Sequence, residues 1–173
     1  EDPAEMYLRA VERLETAGGL IQYEISNVAR PGRASRHNLK YWTGGDWLGF
    51  GCGAHSTVGL SAETSAAAGA RWKNVAGTEE YIGRVTNGQD PRIEYGVLTA
   101  GERLEEALFT GLRLTAGIDA GAIGHRYGVD VFARYGEALA PFVEAGWLLR
   151  EGGRLRLTRD GMLMANEVMA VFV

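Results

Sequence analysis

The sequence predicts an α+β protein with two parts, and three patterns support that fold class. A helical repeat followed by a short alternating strand opens the chain, further helical repeats fill the region after residue 98, and two short strands around paired glycines stand near the end. The first pattern is typical of an α/β layer, and the other two are typical of a helical domain with a small β wing. We therefore predict a division at residue 97, with parts at residues 1–97 and 98–173.

The first part begins with a helix that runs to about Ala17. Asp2 is placed to cap this helix, and Pro3 suits its first position, where no amide hydrogen is needed. Two glycines end the helix, and Leu20 to Ile25 alternates as a strand with its polar residues on one face. Arg30-Pro31-Gly32 interrupts the chain, because proline lacks an amide hydrogen and glycine reaches unusual backbone angles, so a loop is predicted after it. The remaining elements are a strand at Asp46–Gly53, a flexible loop at Ser61–Gly69, a helix at Thr78–Val85 capped by Thr78, and a connector at Asn87–Tyr95.

The second part is predicted to contain four helices and one hairpin. The hairpin strands Trp147–Arg150 and Arg154–Leu157 are joined by Glu151-Gly152-Gly153, which is a tight-turn sequence. Three helices, a two-stranded wing and a last helix indicate a winged-helix-like module, a shape that binds DNA in some proteins and only packs in others. The helical periods cover Thr99–Leu114, Ile118–Arg126, Phe132–Ala145 and Arg159–Phe172.

Composition argues against several classes of function. The net charge of −4 argues against a nucleic-acid partner, and the arginines beside the hairpin are expected to form a solvated face. Cys52 is the only cysteine, which excludes an intrachain disulfide and any site that needs several cysteines, and which favours the cytoplasm. We expect Cys52 to be a small buried hydrophobe. No stretch has the length of a membrane span, and the acidic start without methionine is expected to be internal to a longer chain.

Two stretches of the first part have the composition of binding sites. In the stretch Leu48–Ser56 the glycines alternate, so an extended backbone would leave one face without side chains, with His55 at its end. Such a row is explained by the close approach of a ligand or of another element. The predicted loop collects groups that can donate hydrogen bonds to an anion, namely Arg30, Arg33, Arg36, His37, Asn38, Lys40 and Tyr41.

His37 is the candidate metal ligand. A neutral imidazole can bind a transition metal or a heme iron, and Asn38 and Tyr41 could orient it or contact a macrocycle. A single loop histidine is more commonly an exposed or hydrogen-bonded residue, so the residues alone leave both alternatives open.

Three motifs, in the same order and spacing, resemble one family. They are Tyr23-Glu24-Ile25-Ser26-Asn27-Val28-Ala29-Arg30-Pro31-Gly32, Ser35-Arg36-His37-Asn38-Leu39-Lys40-Tyr41-Trp42 and Gly49-Phe50-Gly51-Cys52-Gly53-Ala54-His55-Ser56. The chain resembles the radical S-adenosylmethionine proteins related to oxygen-independent coproporphyrinogen III oxidase. Gly146-Trp147-Leu148 and Leu157-Thr158-Arg159-Asp160-Gly161 resemble the C-terminal domain of that family. Within the family, His37-Asn38-x-x-Tyr41 is similar to the motif of the heme chaperone branch.

The resemblance implies a fold and a set of site residues. Residues 1–97 would be the last helix and strands of an incomplete (β/α) barrel, and residues 98–173 the C-terminal domain. It implies S-adenosylmethionine contacts at Ala29 and His55 and heme contacts at His37, Asn38 and Tyr41, with His37 as the iron ligand. The CxxxCxxC motif that holds the four-iron four-sulfur cluster of the family is missing, so we expect a fragment without radical chemistry of its own.

Three functions follow from these observations. The first is a fragment of a heme chaperone that binds heme and delivers it to respiratory heme proteins. The second is a fragment of an oxygen-independent coproporphyrinogen III oxidase in porphyrin biosynthesis, and the third is a winged-helix interaction or regulatory module without chemistry. The sequence leaves open the oligomeric state and any membrane association of the full-length parent.

Overall fold

The structure is a computed structural model that describes residues 3–59 and 68–173. The predicted Asp2 cap and most of the predicted loop at Ser61–Gly69 lie outside the described residues. The chain divides into two compact units, one formed by residues 1–44 together with 104–173, and the other by residues 45–103. The predicted division at residue 97 separates two consecutive segments of the sequence, whereas one compact unit combines residues from both segments. The division stays a prediction.

Helices and strands are mixed along the whole chain, which confirms the mixed α/β class. In chain order the described residues form α1 (Pro3–Gly18), β1 (Ile21–Glu24), β2 (Asn27–Ala29), α2 (Arg36–Trp42), β3 (His55–Gly59), β4 (Gly69–Asn74), α3 (Thr78–Thr86), β5 (Arg92–Leu98), α4 (Ala100–Gly111), β6 (Ile118–Asp119), α5 (Ala120–Tyr127), α6 (Val131–Glu144), β7 (Leu148–Glu151), β8 (Arg154–Leu157), α7 (Arg159–Leu163), α8 (Ala165–Met169) and a 3₁₀ turn (Ala170–Phe172).

The strands form three small sheets. Their strand orders are β1-β2, β3-β4-β5 and β6-β8-β7. Each pairing between these strands is antiparallel. The parallel pairing typical of a (β/α) barrel therefore does not occur among the named strands of the described residues.

Leucines at a four-residue spacing on and just after α4 form the centre of the larger unit. Leu104, Leu108 and Leu112 are almost completely buried, as the helical period predicts for one face. Burying leucine side chains of this size contributes about 1.5–3 kcal/mol each to folding. The same core contains Leu139, Leu148, Leu155, Leu157 and Phe172.

Side-chain caps fix the start of several helices in this region. Thr99 and Glu102 form a reciprocal capping box at α4, in which the Thr99 amide donates to Glu102 Oε2 over 2.7 Å and the Glu102 amide donates to Thr99 Oγ1 over 3.2 Å. Asp130 accepts from two backbone amides at the start of α6. The predicted helices and the hairpin are found here with two differences. Ile118 and Asp119 were predicted as helix but form the strand β6, which pairs with β8 and adds a third strand to the predicted two-stranded wing. The predicted last helix is divided at Met164 into α7, α8 and the 3₁₀ turn.

The predicted loop after Gly32 is partly a helix. The chain turns helical at Arg36 because the Ser35 side chain caps the first turn, where it accepts from the Asn38 amide over 3.3 Å. No proline or glycine lies between Ser35 and Trp42 to stop the helix. The predicted loop is therefore wrong from residue 36 onward, and the candidate heme residues lie on α2.

The smaller unit differs from the sequence prediction at its strands. Asp46–Gly53 is not a strand, because Gly51 and Gly53 adopt left-handed backbone angles with φ of 97° and 68°. A single bridge joins Trp47 to Thr57 instead. The predicted connector Asn87–Tyr95 contains the start of β5, which is specified by its antiparallel pairing with β4.

The helix α3 is found where it was predicted, but its cap is different. Its N-cap residue is Gly77 and no side chain makes a cap hydrogen bond there. Thr78 is therefore the first residue of the helix rather than its cap.

Candidate functional site

One face of α2 presents the two rings of the heme motif side by side. His37 and Tyr41 are four residues apart, which places them on the same face of a helix. Their ring centroids are 4.9 Å apart, and the rings meet edge to face at 84°. His37 is exposed, whereas Asn38 and Tyr41 are half-buried. The structure thus brings His37 and Tyr41 together on an accessible surface.

Positive charge surrounds this pair in the sequence. Arg30, Arg33, Arg36 and Lys40 are exposed, and no acidic residue stands between residues 30 and 42. Arg36 and Lys40 are also four residues apart, so they form a row on α2 beside the row of His37 and Tyr41. Guanidinium and ammonium groups in this number favour a ligand that carries carboxylates or another anion.

The last residue of α2 packs on Arg113, which follows α4 in the chain. The guanidinium carbon of Arg113 lies 4.4 Å from the centroid of the Trp42 ring. Arg113 Nη2 donates to Glu24 Oε2 over 3.1 Å and to Ser26 Oγ over 3.2 Å. The Glu24 side chain is 0% exposed. Arg113 therefore joins a buried carboxylate of the β1–β2 hairpin to the end of α2.

The polar face of β1 is its buried face. Gln22 and Glu24 are 5% and 0% exposed, whereas Ile21 is 53% exposed. Gln22 Nε2 donates to Tyr7 Oη over 2.9 Å and to the Ile25 carbonyl oxygen over 3.0 Å, and Tyr7 Oη donates to the same carbonyl. Burial raises the pKa of Tyr7, so this phenol stays protonated as a donor. The network links the hairpin to α1.

The glycine-rich segment, residues 48–54, is held through its backbone. Asn74 Nδ2 donates to the carbonyl oxygens of Gly49 over 3.4 Å and of Gly51 over 3.0 Å. The Gly51 amide donates to Tyr81 Oη over 3.2 Å. A Cβ atom on Gly49 would lie 2.3 Å from the carbonyl oxygen of His55. The close approach that was predicted for this segment is made at Gly49 by the backbone of His55. The prediction of an extended strand with one face of glycines is wrong.

The two residues implied for S-adenosylmethionine, Ala29 and His55, belong to different compact units. Ala29 is half-buried and ends β2, opposite Ile21. His55 is exposed and begins β3, opposite Lys73. Their assignment stays a prediction.

The residues of this chain do not fit an iron–sulfur cluster. Cys52 is the single cysteine, and such clusters are held by several cysteine thiolates. Cys52 is exposed, with its Sγ 3.5 Å from Thr78 Oγ1, so its predicted burial is wrong. Within residues 3–59 and 68–173, no three His, Cys, Asp or Glu side chains are grouped so that they could hold a metal ion.

The residues of α2 do fit heme as a bound molecule. Imidazole is a common axial ligand of heme iron, and the His37 ring is exposed. The Tyr41 ring offers an aromatic contact beside it, and the neighbouring cations match the carboxylates of a heme.

Sequence reasoning missed the role of Arg113. Its partner Glu24 is 89 residues away in the chain, so no local pattern connects them. One signal was present, because Glu24 lies in a predicted strand, and a carboxylate on a buried face of a strand needs a partner.

The C-terminal region and the overall fold define the class of protein. Residues 98–164 match the family described as the HemN C-terminal domain. The fold is similar to that of the coproporphyrinogen III oxidase HemN of Escherichia coli, a radical SAM enzyme, with a TM-score of 0.71 and 17% identity over 99% of this chain and 42% of that one. The class is therefore that of chains with a HemN-type fold.

Several curated relatives match most of this chain. The chain is 35% identical to the heme chaperone HemW of Bacillus subtilis over its whole length, 28% identical to that of Lactococcus lactis over 98%, and 32% identical to that of Mycobacterium tuberculosis over 89%. It covers 43%, 42% and 35% of these relatives, so it spans less than half their length. These matches confirm the resemblance to the radical S-adenosylmethionine proteins related to oxygen-independent coproporphyrinogen III oxidase that the motifs predicted.

The lengths and compositions of the helices bear on whether the chain could span a membrane. Within the described ranges, none is long and apolar enough to cross a bilayer.

Proposed function

We propose that this chain is part of a heme chaperone and that α2 binds the heme. The observation that carries the proposal is the exposed His37 ring beside Tyr41 on one face of α2. Relatives that match the chain over most of its length are named heme chaperones, which supports the same function here. His37 is the proposed iron ligand, and Asn38 and Tyr41 are the proposed neighbours of the macrocycle.

The basic residues give heme an orientation in this proposal. Heme carries two propionate carboxylates at one edge of its ring, and carboxylates pair well with guanidinium and ammonium groups. Arg36 and Lys40 stand on the row beside His37, and they are exposed. We propose that these two side chains, with Arg33 from the preceding loop, receive the propionates.

Several proposals concern the full-length parent. In it, residues 1–97 would complete a (β/α) barrel, and residues 98–173 would form a winged-helix-like domain. Ala29 and His55 would contact S-adenosylmethionine, and a four-iron four-sulfur cluster would be held outside this chain. The parent would act in the cytoplasm and deliver heme to respiratory heme proteins.

Heme titration of the purified chain tests the main proposal. We expect a shift of the Soret band on binding, and we expect His37→Ala to abolish this shift or to weaken heme binding by at least about tenfold, since an axial ligand is lost. His125→Ala is the matched control, because His125 is also exposed and lies on a helix of the same unit. A folded wild-type sample without any Soret shift would refute the proposal, as would equal losses in both variants.

A fragment of a coproporphyrinogen III oxidase is the second candidate function, supported by the fold match to that enzyme. The full-length parent distinguishes the two. Conversion of coproporphyrinogen III by the parent would favour the oxidase, and heme transfer without conversion would favour the chaperone.

A winged-helix regulator without chemistry is the third candidate. One of the hairpin arginines that could contact DNA, Arg156, already forms an ion pair with Glu151 over 3.1 Å. Salt-sensitive DNA binding that is lost in Arg154→Gln/Arg156→Gln would favour the regulator.

A further inference from the structure

We propose that Arg113 is a positioning residue for α2, and that it sets the orientation of the helix face that carries His37. This inference rests on the proposed function only in so far as α2 binds heme. Arg113 itself lies outside the heme motif, and it comes from the segment between α4 and β6.

The helix α2 depends on outside contacts for its orientation. It has seven residues, and none of them is buried. Isolated helices of this length are unstable in water, because forming the first turn is costly. The helix therefore needs a fixed contact at one end, and Trp42 at its end stacks on the Arg113 guanidinium.

Arg113 is held rigidly by its own surroundings. The Ile25 amide donates to the Arg113 carbonyl oxygen over 2.9 Å, and the Thr115 amide donates to the Tyr23 carbonyl oxygen over 3.2 Å. These bonds and the bridge between Glu24 and Leu114 lay this segment along β1. The Arg113 side chain then reaches the buried Glu24 carboxylate over 3.1 Å. Arg113 is thus fixed through its backbone and through its guanidinium group, so the Trp42 ring stacks on a group with a defined position.

Two buried nitrogens indicate that the stack is kept at a cost. Among the described residues neither Trp42 Nε1 nor Arg113 Nε has a hydrogen-bond partner, although both atoms are buried. A buried donor without a partner destabilises a fold. The stacked arrangement therefore forms in spite of that cost.

The link from Arg113 to the heme face runs through a single rigid element. His37 is five residues before Trp42 in a continuous helix. A change in how Trp42 sits on Arg113 turns the whole helix, and with it the His37 and Tyr41 rings. The hydrogen bonds of the Ser35 cap do not replace this contact, because they act at the other end of α2.

Arg113→Lys tests the inference, because lysine keeps the charge next to Glu24 but lacks the planar group that stacks on Trp42. We expect faster amide hydrogen exchange in α2 of the heme-free protein. We also expect a Kd for heme at least about fivefold higher and a changed Soret maximum in the folded, heme-loaded sample. Arg150→Lys is the matched control, because the Arg150 guanidinium lies 3.7 Å from the Phe132 ring centroid in the same unit. Trp42→Phe should retain the stack, and it should resemble wild type more than Arg113→Lys does.

The outcomes separate this inference from the proposed function. If wild type takes no heme, the proposed function fails, and the exchange rates of α2 still decide the role of Arg113. If wild type binds heme but Arg113→Lys has wild-type exchange in α2 and a wild-type Soret maximum, the positioning role is refuted. A lower melting temperature alone, with unchanged spectrum and exchange, also refutes it, because it shows a purely structural residue.

Discussion

The helix α2 and the glycine-rich segment both carry motifs of one family, yet they are held in opposite ways. On α2 no residue is buried, His37 is exposed, and the ends are fixed by a cap and by a stacked tryptophan. In the glycine-rich segment the backbone carbonyl oxygens of Gly49 and Gly51 are bound by Asn74, and there is little room for a side chain at Gly49. The first segment offers side chains to a ligand, and the second is specified by its backbone. Substitutions in α2 should therefore affect binding, and substitutions in the glycine-rich segment should affect stability.

Gly49→Ala is the variant with the largest expected effect on stability. Its Cβ would lie 2.3 Å from the His55 carbonyl oxygen and 2.9 Å from the Ala54 Cβ, so the backbone must shift. We expect a loss of about 2–4 kcal/mol in the free energy of unfolding, measured by urea denaturation. Heme affinity of the folded fraction should stay at the wild-type value, because α2 is untouched.

Gly83→Ala is the control for that substitution. Gly83 lies within α3 and has nothing within 4 Å of the added Cβ. Alanine favours a helix over glycine by about 0.5–1 kcal/mol, so this variant should be slightly more stable than wild type. Equal stability of the two variants would contradict the claim that the backbone specifies the glycine-rich segment.

Ser35→Ala has a smaller expected effect, and it acts on α2. The serine hydroxyl caps the helix by accepting from the Asn38 amide, and removing an N-cap costs about 1 kcal/mol. If that cost falls on α2 alone, heme binding weakens by about fivefold while global unfolding changes little. Heme titration and urea denaturation of the same samples measure both quantities.

Ser35→Thr keeps the hydroxyl and provides the control. It should restore most of the heme affinity, since threonine is also a good N-cap residue. If the alanine and threonine variants bind heme equally, the cap does not contribute to the order of α2, and the contrast between the two segments weakens.

Local patterns predicted the helical region of the fold well. The period in Phe132–Ala145 and the glycines of the hairpin led to α6 (Val131–Glu144) and to β7 and β8 with few errors at their ends. These elements are encoded locally, by apolar spacing, an aspartate cap and a turn at Gly152 with a φ of 59°.

The missed elements depend on distant partners or on weak signals. The strand β5 follows a proline and is exposed along most of its length, so only its pairing with β4 specifies it. The helix α2 follows a proline–glycine break, and its basic residues suggested a loop, although Ser35 was a usable cap signal. For the site, the spacing of His37 and Tyr41 was readable, whereas the contact of Arg113 with Glu24 and Trp42 required the folded chain.

The smallest expected effect concerns Asp90, which precedes β5 in the unit that also holds the glycine-rich segment. Hydrogen bonds from the Arg92 side chain and amide lower the pKa of the Asp90 carboxyl to about 2. A lowered pKa in the folded state means that the carboxylate stabilises the fold above its unfolded pKa, near 3.8, and that this contribution is lost as the pH falls toward 2. Because both side chains of the pair are exposed, solvent screens it and its contribution is small. We expect an NMR titration midpoint near 2 in wild type and a higher midpoint in Arg92→Gln, which stays below 3.8 because the backbone amide of residue 92 still donates to the carboxylate. Arg92→Lys should lie between these two. A midpoint that does not move in Arg92→Gln would show that the ion pair does not form. If acid lowers the free energy of unfolding of this unit by more than Gly49→Ala does, surface charge rather than the backbone specifies the unit.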